Sequence, residues 1–173
     1  MRERWPLVQP WLGTGARLML GGVWIAAGWS KVGDLAASGR AVAAYRIFPY
    51  DFATFVGAVL PFLEIALGIL LVLGLATRLA GGVSAIVLAV FIAGIVAAWV
   101  RGLRIDCGCF GGGGDLSAGE TPRYASELIR DAGLLALAGL LVFFPRSRFS
   151  LDAVSPGEPA GTDRSADGGP ESE

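Results

Sequence analysis

Residues 79–100 read LAGGVSAIVLAVFIAGIVAAWV, an apolar run of 22 residues without a charged side chain. A helix rises ~1.5 Å per residue, so this run is long enough to cross the ~30 Å hydrocarbon core of a bilayer. Three further runs are long and mainly apolar, at residues 12–32, 52–75 and 122–144. Together the four runs predict an all-α fold, an integral membrane four-helix bundle.

The composition supports a membrane protein and excludes several classes of function. Of the 173 residues, 54% are hydrophobic and 17% are charged, whereas a soluble domain carries about 25% charged residues. The net charge is −1 and no basic run is present, so we expect no nucleic-acid partner. The chain has no histidine, which removes His-ligated haem and most zinc sites. We therefore predict no metal.

The chain divides into three parts by composition. Residues 1–11 form a short N-terminal lead, residues 12–145 the four-span domain, and residues 146–173 a polar tail. The tail has too few apolar residues to form a core, so we expect it to be disordered. The first apolar run continues well beyond the length of a signal-peptide core, so we interpret it as an uncleaved span.

Two local patterns give sharper structural expectations. The connection at residues 33–51 is either a short interfacial helix or an ordinary loop, and Pro49 ends any helix near Phe48. The fourth span is expected to begin with Thr121 as its N-cap and Pro122 as its first residue. Small residues recur at every fourth position of the third span, which predicts a ridge for close helix packing. They are Gly81, Ala85, Ala89, Ala93 and Ala97.

The distribution of arginines predicts the orientation. Four spans place both termini on one side of the membrane and the two longer connections on the other. Arginines are nearly balanced between the two sides, but Arg146 and Arg148 directly follow the last span, which favours cytoplasmic termini. We therefore expect a multi-pass protein of the bacterial plasma membrane, with the loop at residues 101–121 on the extracytoplasmic side.

That loop contains the only two cysteines, in the sequence Cys107-Gly108-Cys109. A disulfide between them would close a very small ring, and strained or exposed disulfides are the labile or catalytic ones. Gly108 provides the backbone freedom that such a ring requires. Arg104 is expected to favour a Cys107 thiolate, whereas Asp106 opposes it. The pattern indicates thiol–disulfide exchange.

Two other interpretations of the cysteines remain open. They could form an inert disulfide, but a stabilising disulfide gains most from closing a long loop, and this one closes almost none. They could bind metal if a dimer shared four thiolates. Redox chemistry is the interpretation that the spacing favours.

Charged residues inside the predicted spans form a second group. Glu64 lies near the middle of the second span and is expected to face the bundle and to pair with Arg17 or Lys31. Such a site could handle protons or a quinone, or it could be an ion pair that sets the helix register. Arg17 and Lys31 could also extend their charged ends to the interface.

Three segments together resemble the MauE/DoxX family of redox-associated integral membrane proteins, over about residues 12–145. They are Gly28-Trp29-Ser30-Lys31, Pro61-Phe62-Leu63-Glu64-Ile65 with Gly68, and Asp106-Cys107-Gly108-Cys109-Phe110-Gly111. The last segment is similar to the MauE branch, which assists disulfide formation in a periplasmic dehydrogenase subunit during methylamine utilisation. DoxX relatives are linked to quinol oxidation or to thiol stress.

The resemblance implies that Cys107 and Cys109 are the redox pair, with Phe110 among the supporting residues, and that Glu64 and Lys31 are polar positions in the bundle. We expect electron exchange with a thioredoxin-like partner or with a disulfide-containing exported client. No residue specifies a cofactor, although a quinone is compatible with the resemblance, and enzymatic activity is left open. The alternative is a non-catalytic membrane subunit or assembly factor with a structural disulfide. Small-solute transport is disfavoured because the sequence shows no inverted repeat.

Overall fold

The computed structural model describes residues 5–109, 113–117 and 119–144, with side chains described from residue 11 onward. This part of the chain is mostly helical, as the sequence predicts. The helices are α1 (Trp5–Val32), α2 (Leu35–Ala44), α3 (Tyr50–Leu73), α4 (Thr77–Val100) and α5 (Tyr124–Phe143). Strands β1 (Ile105–Asp106) and β2 (Gly114–Asp115) pair antiparallel between α4 and α5. The predicted disordered tail and Phe110 lie outside the described residues.

Among the described residues, two helices are long and apolar enough to cross a membrane, judged by length and composition. They are α3 and α4, the second and third of the four predicted spans. Helices α1 and α5 lie at the positions of the first and fourth predicted spans. Both contain charged side chains that are buried against the rest of the protein.

The connection between α1 and α3 is helical, so of the two alternatives the helix is correct. Asp34 is the N-cap of α2, and its carboxylate accepts a hydrogen bond of 2.8 Å from the Ala37 N–H. Such a bond satisfies one of the free N–H groups at a helix start. The helix ends at Ala44, and its C-cap Tyr45 lies well before Pro49.

The ends of α1 and α5 differ from the predicted bounds. Helix α1 begins at Trp5, inside the segment predicted as a lead. Helix α5 begins at Tyr124 with Arg123 as its N-cap and no side-chain cap bond, so the predicted Thr121 cap is wrong. The chain before α5 is instead tied to the loop that follows α4, where the Arg104 guanidinium donates a hydrogen bond to the Glu120 carbonyl.

Helices α1 and α3 approach closely because glycines face each other. A Cβ atom built on Gly28 would lie 2.6 Å from the Pro61 carbonyl oxygen, and one on Gly68 would lie 2.8 Å from the Gly21 carbonyl oxygen. Real Cβ atoms do not come this near to backbone oxygens. The close approach aligns the last turn of α1 with the middle of α3, where Glu64 lies.

Helix α4 packs mainly on α5, but the predicted ridge of small residues lies in this contact only at its first residue, Gly81. Ala89 and Ala93 are exposed, whereas Gly81, Ser84 and Leu88 are buried. Each step of four residues turns ~40° further around a helix, so positions repeating every four residues cannot all remain on one face. The core between α1, α3, α4 and α5 includes Leu20, Trp24, Leu71, Leu88, Ala138 and Leu141.

Candidate functional site

The loop between α4 and α5 is anchored by Tyr124 at the start of α5. Its hydroxyl donates a hydrogen bond to the Leu103 carbonyl and accepts one of 3.2 Å from the Ile105 N–H. The buried side chains of Tyr124 and Ile105 belong to a second apolar cluster, against which Cys107 packs. These contacts hold the beginning of the loop against the start of α5.

The two cysteines lie in a tight turn that follows β1. The Gly108 N–H donates a hydrogen bond of 3.0 Å to the Asp106 carboxylate, and Gly108 has a φ of +70°. This left-handed conformation favours glycine. A Cβ atom built on Gly113 would lie 2.3 Å from the Gly108 Cα. The two glycine backbones touch, so the turn folds back on itself next to α2.

Both cysteines are free thiols and are partly buried. The Cys107 Sγ accepts hydrogen bonds from the Cys109 N–H at 3.4 Å and from the Arg130 Nη2 at 3.8 Å. The two thiols are thus unequal, because both of these bonds go to the Cys107 sulfur.

These contacts set the acidity of the two thiols in opposite directions. The bond from the Cys109 thiol, with smaller contributions from the Cys109 N–H and Arg130, lowers the pKa of Cys107 below its ordinary value. Burial and the Glu127 carboxylate act in the other direction. The pKa of Cys109 is raised because its proton is held by Cys107 and because the thiol is buried. A thiolate forms more readily on Cys107.

Helix α5 contributes three charged side chains beneath the cysteine turn. The Glu127 side chain is 8% exposed, and that of Asp131 is 2% exposed. The Arg130 Nε donates a hydrogen bond of 2.9 Å to the Asp131 Oδ1, while its Nη2 reaches Cys107. A four-residue spacing places Glu127 and Asp131 on one face of the helix. This four-residue spacing is visible in the sequence, but it does not specify which part of the protein the charged face contacts.

A carboxylate oxygen of Asp106, one of Glu127 and the Cys107 Sγ all lie within 4.8 Å of one another. Three such donors could in principle bind a cation. However, the Arg130 guanidinium already bonds the same sulfur, and its positive charge opposes a second cation there. Asp106, which the sequence predicts to oppose a Cys107 thiolate, thus lies in a cluster with Glu127 that the sequence did not reveal.

Arg104, predicted to favour the Cys107 thiolate, contacts a different part of the loop. Arg104 bonds to the Glu120 carbonyl, and Arg130 supplies the guanidinium at Cys107 instead.

The Tyr45 hydroxyl, at the end of α2, donates a hydrogen bond of 3.3 Å to the Cys107 carbonyl oxygen. Burial, together with the nearby cysteines, raises the pKa of Tyr45, so this hydroxyl stays protonated.

The charged pair between α1 and α3 is Lys31 with Glu64. The Lys31 Nζ lies 2.7 Å and 2.9 Å from the two carboxylate oxygens of Glu64. The Lys31 side chain is 5% exposed and that of Glu64 is 1% exposed. Arg17 is likewise buried, at 2% exposed. Of the two predicted partners of Glu64, Lys31 is thus the one observed, and neither cation extends to the surface.

Two cavities connect this pair with the cysteines. Cys109, Glu64, Arg130 and Asp131 line a small cavity of about 20 Å³. Lys31, Cys107 and Cys109 line a larger one of about 240 Å³. The structure thus brings together the cysteine turn and the Lys31–Glu64 pair, which the sequence left as separate sites. Arg17 lines neither cavity.

The described residues define a mostly helical protein with two helices of membrane-spanning length and a partly buried thiol pair in a connecting loop. The chain matches the family described as methylamine utilisation protein MauE over residues 9–144. Because this match covers most of the chain, the protein belongs to the MauE family. Membership is consistent with a membrane protein associated with methylamine utilisation. No match is found among curated proteins or among solved structures.

Proposed function

We propose that this MauE-family protein is an integral membrane thiol–disulfide redox protein. Helices α1, α3, α4 and α5 span the bacterial plasma membrane, and the cysteine turn faces the extracytoplasmic side. The partner is a thioredoxin-like protein or an exported client that contains disulfides. The observation that carries this proposal is the hydrogen bonding at Cys107, whose Sγ accepts from Cys109 and from Arg130.

The unequal thiols assign a role to each sulfur. The Cys107 thiolate attacks one sulfur of a partner disulfide, which forms a mixed disulfide and releases the other partner sulfur as a thiolate. Cys109 then gives its proton to that thiolate and attacks the Cys107 sulfur. A Cys107–Cys109 disulfide forms, and the second partner sulfur leaves as a thiolate, which becomes a thiol by taking up the proton that Cys107 released when it ionised. The same steps in reverse oxidise a partner dithiol, so the site can support disulfide formation in a client.

Residues around the pair support this chemistry. Arg130 stabilises the thiolate because hydrogen bonds to ionised groups are stronger than neutral ones. Glu127 lies within reach of the Cys107 thiol and provides a carboxylate that can exchange a proton with it. Gly108 and Gly113 keep the turn free of side chains where it folds back. These features favour a reactive dithiol over a disulfide that only pins the loop.

Trapping the mixed disulfide tests the proposal. In Cys109→Ser the resolving thiol is absent, so Cys107 should remain linked to its partner and give a band of higher mass on a non-reducing gel. The reciprocal Cys107→Ser variant should trap much less, and reduction should remove the band. If neither variant traps a partner and both retain full function in cells, the redox function is wrong and the non-catalytic alternative stands.

A further inference from the structure

An apolar cavity of about 240 Å³ lies between α2, α3 and α4, with the cysteine turn as one of its walls. Its lining includes Val42 from α2, Leu60 from α3, Val87 and Phe91 from α4, and both cysteines of the turn. An apolar cavity of about 150 Å³ accommodates benzene. This one is therefore large enough for a substituted ring.

The rim of the cavity is apolar and faces outward. Ile86 and Val90 of α4 are 67% and 63% exposed, and both line the cavity. Phe48, in the segment between α2 and α3, is also exposed and lines the cavity. Since α3 and α4 have the length and apolar composition of membrane spans, this opening would face lipid. A ligand entering there must be soluble in the hydrocarbon phase.

Polar groups in the wall restrict the type of ligand. The Lys31 ammonium has three N–H donors, and its described hydrogen bonds go to the two oxygens of Glu64. It lines the cavity, so one N–H is available to a carbonyl oxygen of a ligand. Cys107 and Cys109 line the same space. A simple acyl chain would use neither the ammonium nor the thiols.

We propose that this cavity binds a lipid-soluble quinone, the acceptor for electrons from the reduced cysteine pair. This inference rests on the proposed redox function and names its acceptor. The dithiol loses two electrons and two protons as the Cys107–Cys109 bond forms. The quinone gains both electrons and both protons and leaves as the quinol. Oxidation of the partner therefore proceeds in one direction, from client dithiol through the pair to the membrane quinone.

Binding is measured separately from redox chemistry with a double variant, Cys107→Ser/Cys109→Ser, of the full chain in lipid nanodiscs. Equilibrium binding of decylubiquinone should be saturable. Adding Val90→Trp, which fills the mouth of the cavity, should weaken binding by about tenfold or more. Val96→Trp is the matched control, because Val96 is exposed on the same helix and does not line the cavity. It should leave the affinity within about twofold.

The outcomes separate this inference from the proposed function. Absence of saturable binding, or equal competition by a decyl chain without the quinone ring, would overturn the quinone site even if a mixed disulfide is trapped. Equal weakening by Val90→Trp and Val96→Trp would also overturn it. Conversely, saturable binding without any trapped partner would keep the quinone site and remove the redox exchange with proteins. In the wild-type protein, decylubiquinone should also convert the free thiols to a disulfide.

Discussion

The Nη2 of Arg130 lies 3.8 Å from the Sγ of Cys107, although the two residues are far apart in the sequence. The cation therefore comes from the second turn of α5, beneath the cysteine turn, and not from the neighbouring segment of the loop. Thiolates are the reactive form of cysteine, and nearby cations favour them. Reactivity at Cys107 thus depends on how α5 is seated against the loop.

Replacing Arg130 should make Cys107 less reactive at neutral pH. Arg130→Met removes a hydrogen bond to the thiolate, so the pKa of Cys107 should rise and its alkylation profile should move to higher pH. The measurement is the rate of iodoacetamide labelling against pH in a Cys109→Ser background. Arg104→Met is the control, because Arg104 bonds to the Glu120 carbonyl, and its profile should not move. Equal shifts in both variants would contradict the assigned contact.

Replacing Glu127 should have the opposite effect. Its carboxylate raises the pKa of Cys107 by repulsion, so Glu127→Gln should lower that pKa and move the alkylation profile to lower pH. The same labelling assay measures the shift. Glu120→Gln is the matched control, because Glu120 is exposed and bonds to the Ser117 N–H. An alkylation profile that moves to higher pH in Glu127→Gln would show that the carboxyl acts chiefly as a hydrogen-bond acceptor for the thiol.

The Lys31–Glu64 pair should show strong coupling in stability. Lys31→Met leaves the Glu64 carboxylate buried without its cation, which should cost about 3–5 kcal/mol. The double variant Lys31→Met/Glu64→Leu removes both charges and should recover most of that loss. Unfolding midpoints in detergent micelles, combined as a double-mutant cycle, give the coupling. Additive losses in the double variant would indicate that the two residues act independently.

The contact between α1 and α3 should not tolerate a side chain at Gly28. A Cβ atom there would overlap the Pro61 carbonyl and the Ile65 side chain, so Gly28→Ala should destabilise the protein by about 1–3 kcal/mol. Gly22 lies in the same helix with nothing within 4 Å of its added Cβ. Gly22→Ala should therefore be neutral or stabilising by up to ~1 kcal/mol. Thermal unfolding of both variants in the same detergent checks the contrast.

The orientation can be tested with the natural cysteines, because Cys107 and Cys109 are the only two in the chain. After mild reduction, a membrane-impermeant maleimide applied to intact spheroplasts should label the wild-type protein. The double variant Cys107→Ser/Cys109→Ser should give no signal. Labelling that requires lysis would place the cysteine turn on the cytoplasmic side and reverse the proposed topology.

Much of the fold follows from local patterns. The long apolar runs predict α3 and α4, since the length of a run depends only on neighbouring residues. The ridge of small residues fails as a prediction because burial on α4 is decided by the position of α5. Likewise the Thr121 cap fails because the segment before Tyr124 is held in the loop. Helix ends depend on tertiary contacts that a local pattern does not contain.

Only part of the candidate site can be predicted from the sequence. The spacing of Cys107 and Cys109 singles out the thiols, and Gly108, expected from the sequence to provide backbone freedom, has a φ of +70°. Glu127, Arg130 and Asp131 look like ordinary charges at the start of a helix. Their role depends on the α5 face that meets the loop, and nothing local to those residues specifies it. The pairing of Glu64 with Lys31 rather than Arg17 was likewise decided by the glycine contacts between α1 and α3.

The contact between Gly108 and Gly113 also bears on how the site could change during evolution. Because each backbone fills the space where the other's side chain would lie, inserting a residue between the cysteines would separate the glycines. A change from one intervening residue to two would therefore require the second half of the loop to be rebuilt at the same time. The one-residue spacing between Cys107 and Cys109 is therefore constrained by this backbone contact and not by thiol chemistry alone.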